Sequence, residues 1–370
     1  MYPGQMRTGK SKRMQQSSNG KGLLFLGGPS DCVPALGKAL SLGFVPHVID
    51  GSEEAPGLAW ARKQGLPWGV ASVYDFNWIH KTVLKNNWKI DSVVAVGVDV
   101  GPVCSLVSKV TGCFSIPYGI TKLSWDKPAL KKILSQAGVL TPTWGTFVVK
   151  PVDGRGSRGV SVVSASNLWG VEWEAAKRES PTGRVMCEEY VQGDGVSIEA
   201  IVWEGQSVFL GATDRIYNSS SQTVEVGGKA PSKYILDLYR CNLVNRVIEA
   251  IGIKMGSIKL DVIFRGDIPY VIEAAIGRLS GGLTCSHYIP LAFNVDFLAM
   301  AFAVYCGQDP RPFCKPILKT KHVPGQIDYF VSGRYDMPPN PSGNSDRGKF
   351  RLRIGRSIEE AERKLGKAIG

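Results

Sequence analysis

The hydrophobic pattern of this 370-residue chain changes near residue 147. Before that point, short apolar segments at 23–26 and 44–49 alternate with helical stretches, the first of which ends at Gly43. Strands and helices joined by short links are typical of a parallel, doubly wound β/α sheet. After it, the pattern has period two, which predicts an α+β domain made mainly of strands. The expected strands are 147–150, 159–163, 185–191, 196–203, 207–213, 257–264 and 269–275.

Helix signals stand at three places in the chain. Asp126 is positioned to cap a helix over 124–138, and a capping box that begins at Ser357 opens a last helix. One long helix is expected over 235–251. Its predicted apolar side consists of Leu236, Tyr239, Leu243, Val247 and Ile251. The segment 338–348 is rich in Pro, Asn, Ser and Gly and is expected to be a loop.

The net charge is +12, but the surplus lies at the two ends of the chain. Residues 1–22 carry five basic residues and no acid, residues 311–370 carry 13 basic and six acidic residues, and the part between them is neutral. A nucleic-acid-binding protein usually has a basic face on its folded part, so no specific nucleic-acid partner is expected. The basic tail at 1–21 is expected to be disordered and solvated. Non-specific contact with anionic polymers is the alternative.

The cysteine spacing, the lengths of the apolar runs and the polar first residues all bear on where the protein is located in the cell. Eight cysteines without a CxxC pair and four scattered histidines argue against a structural zinc site. No run approaches the ~18 apolar residues of a membrane helix, so no membrane partner is expected. The first 22 residues are polar and contain no secretory signal. We therefore expect a cytoplasmic protein with free thiols, and a transit peptide is the alternative.

Glycines after the first predicted strand raise the question of a dinucleotide site. The segment 27–32 reads GGPSDC, which departs from the GxGxxG pattern. Pro29 also lacks the backbone N–H that a pyrophosphate would need. At most a small anion is expected at this helix start.

A glycine-rich hairpin follows the strand that ends at Lys150. The sequence from 150 to 159 is KPVDGRGSRG, and another strand is expected after it. Glycines let the backbone N–H groups approach phosphate oxygens, and the cationic side chains offset phosphate charge. The hairpin therefore suits a polyphosphate, although a plain turn is the alternative. It is not a Walker A loop, because GK[ST] is absent and no helix follows.

Two acids stand alone in strongly apolar strands. Asp261 lies in SIKLDVIF, and Glu273 lies in YVIEAA after a short turn. Two strands joined by a tight turn would place these carboxylates side by side, where they repel each other unless a divalent cation is bound. The alternative is an ion pair with Lys259, which shares a strand face with Asp261.

The order of these motifs resembles the ATP-grasp superfamily. The matching elements are the lysine strand, the GRGSRG loop, the EEYV strand at 188–191 and the two acids followed by RLSGG at 278–282. The resemblance covers residues 22–370. It implies an amino-terminal β/α domain over 22–119, and an ATP-grasp domain of two α+β lobes over 120–310. A carboxy-terminal segment over 311–370 would pack on that domain.

The resemblance also implies roles for individual residues in ATP binding. Two lysines would contact the phosphates, a lid over 153–159 would cover the β- and γ-phosphates, and the 188–191 strand would meet adenine through its backbone. Glu199, on the following strand, would contact the ribose in place of the acid that family members commonly carry near the start of that strand. The implied nucleotide-binding residues are Lys127, Lys150, Gly156, Ser157, Arg158, Glu188, Glu189, Tyr190, Val191 and Glu199.

The implied function is that of an ATP-dependent ligase. Such an enzyme joins a small-molecule carboxylate to an amine through an acyl-phosphate. Arg278 resembles the catalytic arginine that stabilises the acyl-phosphate, and Asp261 and Glu273 resemble the carboxylates that hold Mg²⁺, or Mn²⁺ in its place. The expected partners are the two small-molecule substrates, and a homodimer is compatible with the resemblance.

Several departures from the family pattern support an alternative function. Gly195 stands where relatives commonly carry the ribose-binding acid, and Ala275 stands where they often carry a metal-binding Asn. Arg278 comes five rather than four residues after the metal glutamate, and the segment 141–145 runs almost directly into the next strand. The alternative is a nucleotide-binding protein that has lost turnover.

Overall fold

A computed structural model describes residues 20–143, 148–163, 169–217, 225–314, 330–335 and 350–369. The predicted tail at 1–21, except its last two residues, and the predicted loop at 338–348 lie outside these ranges. None of the helices within them is both long and apolar enough to cross a membrane.

The amino-terminal part is a parallel four-stranded sheet, as the alternating pattern predicts. Its strand order is β3-β2-β1-β4, and the four helices that connect or follow the strands complete the β/α units. The elements are β1 (Gly22–Leu26), α1 (Val33–Ser41), β2 (Val45–Asp50), α2 (Pro56–Lys63), β3 (Trp68–Val70), α3 (Phe76–Lys85), β4 (Ser92–Val94) and α4 (Gly101–Val110). The pattern does not predict β3, because it has three residues and both of its ends are exposed.

Two antiparallel sheets follow, in the two-lobed arrangement expected of the α+β region. The smaller has the order β6-β5-β7 and the larger the order β12-β11-β8-β9-β10-β13-β14. The small-sheet strands are β5 (Val148–Pro151), β6 (Ser161–Val162) and β7 (Val185–Glu188). The large-sheet strands are β8 (Asp194–Trp203), β9 (Gln206–Tyr217), β10 (Glu225–Ala230), β11 (Gly256–Arg265), β12 (Ile268–Ile276), β13 (Phe330–Tyr335) and β14 (Phe350–Gly355). The carboxy-terminal strands therefore extend the large sheet, whereas the sequence suggested only a segment packed on the domain.

The remaining helices cover the sheets and join the parts of the molecule. They are α5 (Tyr118–Thr121), α6 (Lys127–Gln136), α7 (Trp169–Glu179), α8 (Ile235–Arg240), α9 (Leu243–Ile251), α10 (Ile289–Phe293), α11 (Phe297–Tyr305) and α12 (Ile358–Ile369). Asp126 caps α6 by accepting a hydrogen bond from the Ala129 N–H at 3.1 Å, and Ser357 accepts from the Glu360 N–H at 3.2 Å. Both predicted helix starts are confirmed.

The single long helix expected over 235–251 is wrong. Asn242 adopts a left-handed conformation with φ of 50°, which separates α8 from α9. As a result Leu236 and Tyr239 are more than half exposed, and Ile235 and Leu238 are buried in their place. The later predicted contacts Leu243, Val247 and Ile251 are buried as expected.

An apolar helix fixes the β/α sheet against the large sheet. Every residue of α11 is buried, and Phe302 makes edge-to-face contacts with Phe25 and Phe44 of the β/α part. On its other side α11 packs against β8 and β11 of the large sheet. One shared core therefore holds the carboxyl ends of the parallel strands close to the large sheet.

Candidate functional site

A cavity of about 550 Å³ lies between the small sheet and the large sheet. This volume falls within the range of small-molecule sites. Its charged lining consists of Lys127, Lys150, Arg155, Arg158, Arg215, Glu188, Glu189, Asp261 and Glu273. Five cations and four carboxylates line this one cavity, which makes it the strongest candidate site among the described residues.

Lys150 and Glu188 line the cavity on the small-sheet side, and Lys131 contacts Glu188 without being part of the lining. Glu188 is buried and bonds to Lys150, and its other oxygen lies 2.9 Å from the Nζ of Lys131. Burial raises the pKa of Glu188, but the two lysines outweigh it and hold that pKa below its usual range. Glu188 is therefore a carboxylate at neutral pH. Burial and Lys150 lower the pKa of Lys131 to about 8.

Lys127 connects the first turn of α6 to the glycine-rich loop. Its Nζ donates to the carbonyls of Val152 and Gly154, at 3.4 and 3.1 Å, and lies 3.7 Å from a Glu273 oxygen. Burial lowers the pKa of Lys127 more than the nearby carboxylates raise it. This lysine therefore joins the base of the loop to the carboxylate side of the cavity.

The glycine-rich loop adopts backbone conformations that glycine favours. Gly156 and Ser157 both adopt left-handed conformations, with φ of 62° and 59°, and Arg158 pairs with Glu179 at 3.2 Å. Gly156, Ser157 and Arg158 all line the cavity. Backbone N–H groups in such a turn suit an anion.

The 188–191 segment, which continues from β7, forms a rim of the cavity. The Glu189 N–H donates to the Thr143 carbonyl at 2.9 Å, and the Glu189 carboxylate pairs with Arg265 at 2.6 Å. Tyr190 and Val191 also line the cavity. After them Gly193 passes so close to β11 that a Cβ would lie 2.0 Å from the Phe264 carbonyl oxygen, so only glycine fits there.

Asp261 and Glu273 are direct partners across the β11–β12 ladder, as the hairpin predicts. Lys259 Nζ contacts both Asp261 oxygens, at 2.6 and 2.7 Å, and Arg215 Nη1 lies 3.3 Å from one of them. Burial raises the pKa of Asp261, but Arg215 and Lys259 reverse the effect and hold it well below the usual range. The ion pair between Lys259 and Asp261, which the sequence offered as an alternative, is therefore present. Asp261 nevertheless lines the cavity beside Glu273.

These two carboxylates suit a magnesium ion that is bound together with a phosphate-bearing ligand. The described residues contain no group of three or more Asp, Glu, His or Cys side chains arranged to hold a metal alone. Mg²⁺ is usually bound through one or two carboxylates together with substrate phosphates rather than by a cage of protein ligands. The donor set therefore fits Mg²⁺ in a ternary site and does not favour a resident metal.

Arg278 lies beyond the cavity, where the two domains meet. Its Nε is 2.6 Å from an Asp99 oxygen, and its neighbour Leu279 forms a parallel bridge with Val96, two residues after β4. The Gly282 N–H donates to Asp31 at 2.6 Å, so an acid occupies the helix start at which the sequence suggested a small anion. The 278–282 loop is thereby held at the carboxyl ends of the parallel strands, the usual ligand edge of such a sheet.

Glu199 is not brought to the cavity. It is fully buried, accepts a hydrogen bond from Ser280, and has a pKa raised to about 7 by burial. Register explains the difference from the expected ribose contact, because Glu199 pairs with Lys259 whereas Gly195 pairs with Ile263. Four residues of strand separate the two positions by roughly 13 Å. Glu199 therefore belongs with the Arg278 loop.

Lys131 and Tyr217 were not among the expected site residues, and Arg155 was expected only as a cation of the glycine-rich loop. Lys131 could have been found, since it lies one helical turn after Lys127 on the same face. Arg155 stacks on Tyr74 at 4.0 Å and lies 5.3 Å from the Trp125 ring. Tyr217 lines the cavity from β9. The last two depend on contacts between distant segments, for which the sequence carries no local signal.

Comparison with known proteins agrees with this geometry. Residues 125–276 match the family model of the ATP-grasp domain, and no curated protein matches the chain in sequence. The fold is similar to phosphoribosylglycinamide synthetase from Anaerococcus prevotii, with a TM-score of 0.72, 16% identity and coverage of 95% of this chain and 98% of that one. It is also similar to L-amino acid ligase from Bacillus licheniformis, with a TM-score of 0.73, 18% identity and coverage of 95% and 97%.

A third similar structure is N5-carboxyaminoimidazole synthetase from Staphylococcus aureus complexed with ADP. Its TM-score is 0.72 at 14% identity, with coverage of 95% of this chain and 98% of that one. At identities this low, the structural similarity shows a shared fold and nothing more. The family model covers the residues that build the cavity. The chain therefore contains an ATP-grasp domain over residues 125–276.

Proposed function

We propose that this protein is an ATP- and Mg²⁺-dependent ligase that joins a small-molecule carboxylate to an amine. One observation carries the proposal: the cavity combines a glycine-rich loop, two lysines and a carboxylate pair, and the Arg278 loop lies next to it. Phosphoryl transfer needs positioning and charge neutralisation more than covalent help from the protein, and these residues supply both. The similar structures named above include three ligases or synthetases, which agrees with a ligation reaction.

In the first step a substrate carboxylate oxygen attacks the γ-phosphorus of ATP. A C–O–P bond forms, the bond from the γ-phosphorus to the bridging oxygen breaks, and ADP leaves. Lys127 and Lys150 are positioned to exchange their present carbonyl and carboxylate partners for phosphate oxygens. Glycine-rich backbone at 153–159 would cover the transferred group and exclude water.

In the second step the amine nitrogen attacks the acyl carbon. The bond from that carbon to the phosphate oxygen breaks, inorganic phosphate leaves, and one amine proton passes to water. Arg278 would offset the negative charge that develops on the acyl oxygen, as an oxyanion-stabilising cation. Asp99 holds the Arg278 guanidinium at the domain junction, so the Arg278 side chain is oriented before substrate binds.

Mg²⁺, when bound with the nucleotide, would neutralise charge on the β- and γ-phosphates. Asp261 and Glu273 would hold it. The Lys259 and Arg215 contacts orient the Asp261 carboxylate, so one of the two ligands is fixed in the absence of metal.

The alternative is a nucleotide-binding protein without turnover. The observation in its favour is the donor set, because the described residues hold no third Asp, Glu, His or Cys side chain in a metal-binding group with this carboxylate pair. Ala275, which is buried next to this pair, has no oxygen to contribute.

The test is ATP turnover in the presence of pooled amino acids, with ADP and phosphate measured and condensed products sought by mass spectrometry. We expect ADP release that requires both Mg²⁺ and the pool. The variant Lys150→Ala should lose this activity, whereas Lys177→Ala, an exposed lysine on α7, should retain it. Tight ATP binding without ADP release would favour the alternative, and absence of ATP binding would contradict both functions. The cytoplasmic location and the homodimer stay predictions. All eight cysteines are free thiols in the structure, which is compatible with the predicted location.

A further inference from the structure

Gly195 makes room for the hydroxyl group of Tyr217. A Cβ built on Gly195 would lie 2.3 Å from the Tyr217 Oη and 2.5 Å from a carbon of its ring. No side chain larger than hydrogen fits at 195 with the tyrosine in this position. The tyrosine ring therefore lies directly on the start of β8 and faces the cavity, which it lines.

The strand register places Tyr217 between the two ends of the cavity. Along β8 and β11, the pair Gly195–Ile263 comes first after the 188–191 rim. The pair Ser197–Asp261 follows two residues later. Two residues of strand correspond to roughly 7 Å. If adenine binds at the 188–191 rim and the phosphates bind at Asp261 and the lysines, the ribose must cross the sheet beside Gly195.

Arg215 holds the Tyr217 side chain in this position. The two residues hydrogen-bond to each other, and Arg215 also pairs with Glu225 at 2.9 Å and Asp261 at 3.3 Å. Arginine only donates hydrogen bonds, so the Tyr217 oxygen is the acceptor and its own proton can be directed to an acceptor in the cavity. Burial raises the pKa of Tyr217, which keeps the hydroxyl protonated at neutral pH.

We propose that the Tyr217 hydroxyl binds a ribose hydroxyl of the nucleotide and makes the site selective for ribonucleotides. Gly195 is the residue that permits this contact, because any side chain there would displace the tyrosine. The inference rests on the proposed nucleotide function and adds the residue that recognises the sugar.

The experiment compares the dissociation constants of ATP, 2′-deoxy-ATP and 3′-deoxy-ATP by calorimetry, with Mg²⁺ present, for wild type and variants. We expect wild type to bind ATP about tenfold more tightly than at least one deoxy analogue, the effect of one hydrogen bond in a partly buried site. Tyr217→Phe keeps the ring and should bring that ratio to about one. The matched control is Tyr239→Phe, which removes a hydroxyl that donates to the Leu210 carbonyl outside the cavity and should keep the wild-type ratio.

A second variant protects the test against a folding defect. Gly195→Ala should weaken ATP binding by about tenfold with a smaller effect on the deoxy analogue, because its Cβ displaces the tyrosine. An unchanged ratio in Tyr217→Phe, or a wild-type protein that does not distinguish ATP from either analogue, would overturn the role of Tyr217 while leaving the nucleotide site in place. Failure of wild type to bind ATP at all would overturn the nucleotide site, and the sugar contact with it.

Discussion

Replacing Lys131 with methionine should stabilise the protein at neutral pH and weaken its nucleotide binding. Lys131 is 7% exposed, and its charge is opposed by burial and by Lys150 more strongly than Glu188 favours it. These effects lower its pKa from 10.5 to about 8. At 1.36 kcal/mol per pKa unit, the charged form costs the folded state roughly 3 kcal/mol below pH 8. Methionine is unbranched and only one atom shorter than lysine, and it removes the charge.

The same shift predicts a pH dependence with a definite sign. Above pH 8 the folded protein releases the Lys131 proton, whereas the unfolded chain keeps it up to about pH 10.5. Because the unfolded state then binds more protons, the free energy of unfolding contributed by this group rises with pH across that interval. Wild type should therefore gain up to roughly 3 kcal/mol relative to Lys131→Met between pH 8 and 10.5.

The nucleotide effect follows from the geometry around Glu188. With Lys131 gone, Lys150 is the one lysine among the described residues that contacts the Glu188 carboxylate, and it is held there more firmly. Phosphate then competes less well for Lys150, so the ATP dissociation constant should rise by roughly tenfold.

Urea unfolding at pH 7 and pH 10, followed by circular dichroism, measures the stability change, and calorimetry measures ATP binding. The matched control is Lys132→Met, the adjacent exposed lysine on the same helix, for which neither quantity should change appreciably. A Lys131→Met protein that is less stable than wild type at pH 7 would refute the reasoning, since the Glu188 attraction would then exceed the cost of burial.

Three other changes test other parts of the account. ATP with Mg²⁺ should raise the melting temperature by mass action, and Lys150→Ala should remove most of that shift; equal shifts would contradict its phosphate role. Glu273→Gln should leave apo stability unchanged or raised, because repulsion with Asp261 is relieved, and should lower Mg²⁺-dependent turnover about 100-fold; lost apo stability with retained Mg²⁺ dependence would show a structural role. Deleting residues 1–19 should leave cooperative unfolding and ATP binding intact, since this polar stretch has no apolar face to bury, and a lost transition would show otherwise.

Local patterns predicted the features that depend on neighbouring residues. The pairing of Asp261 with Glu273 follows from two apolar strands and a short turn, and the Asp126 cap follows from the residues beside it. The broken helix at Asn242 did not follow, because the apolar spacing continues across the break and a left-handed residue changes which side chains are buried.

Features that depend on distant contacts were beyond the sequence. The alternation of side chains along β8 correctly predicted that Glu199 and Gly195 share one face of the sheet. Glu199 lies too far along the strand to reach the cavity and contacts Ser280 instead. The closeness of Tyr217 to Gly195 depends on how β9 lies against β8, and the stacking of Arg155 on Tyr74 joins two domains. Each of these contacts requires the assembled fold.

In the proposed reaction a carboxylate is activated by transfer of the γ-phosphoryl group of ATP. Its most direct test uses a carboxylate substrate labelled with ¹⁸O, chosen from the amino acids that support ADP release, with the phosphate product analysed by mass spectrometry. The account predicts one ¹⁸O atom in each phosphate formed, because the carboxylate oxygen that attacks phosphorus leaves with it. Phosphate that contains oxygen only from ATP and water would show hydrolysis without an acyl-phosphate and would contradict the claim.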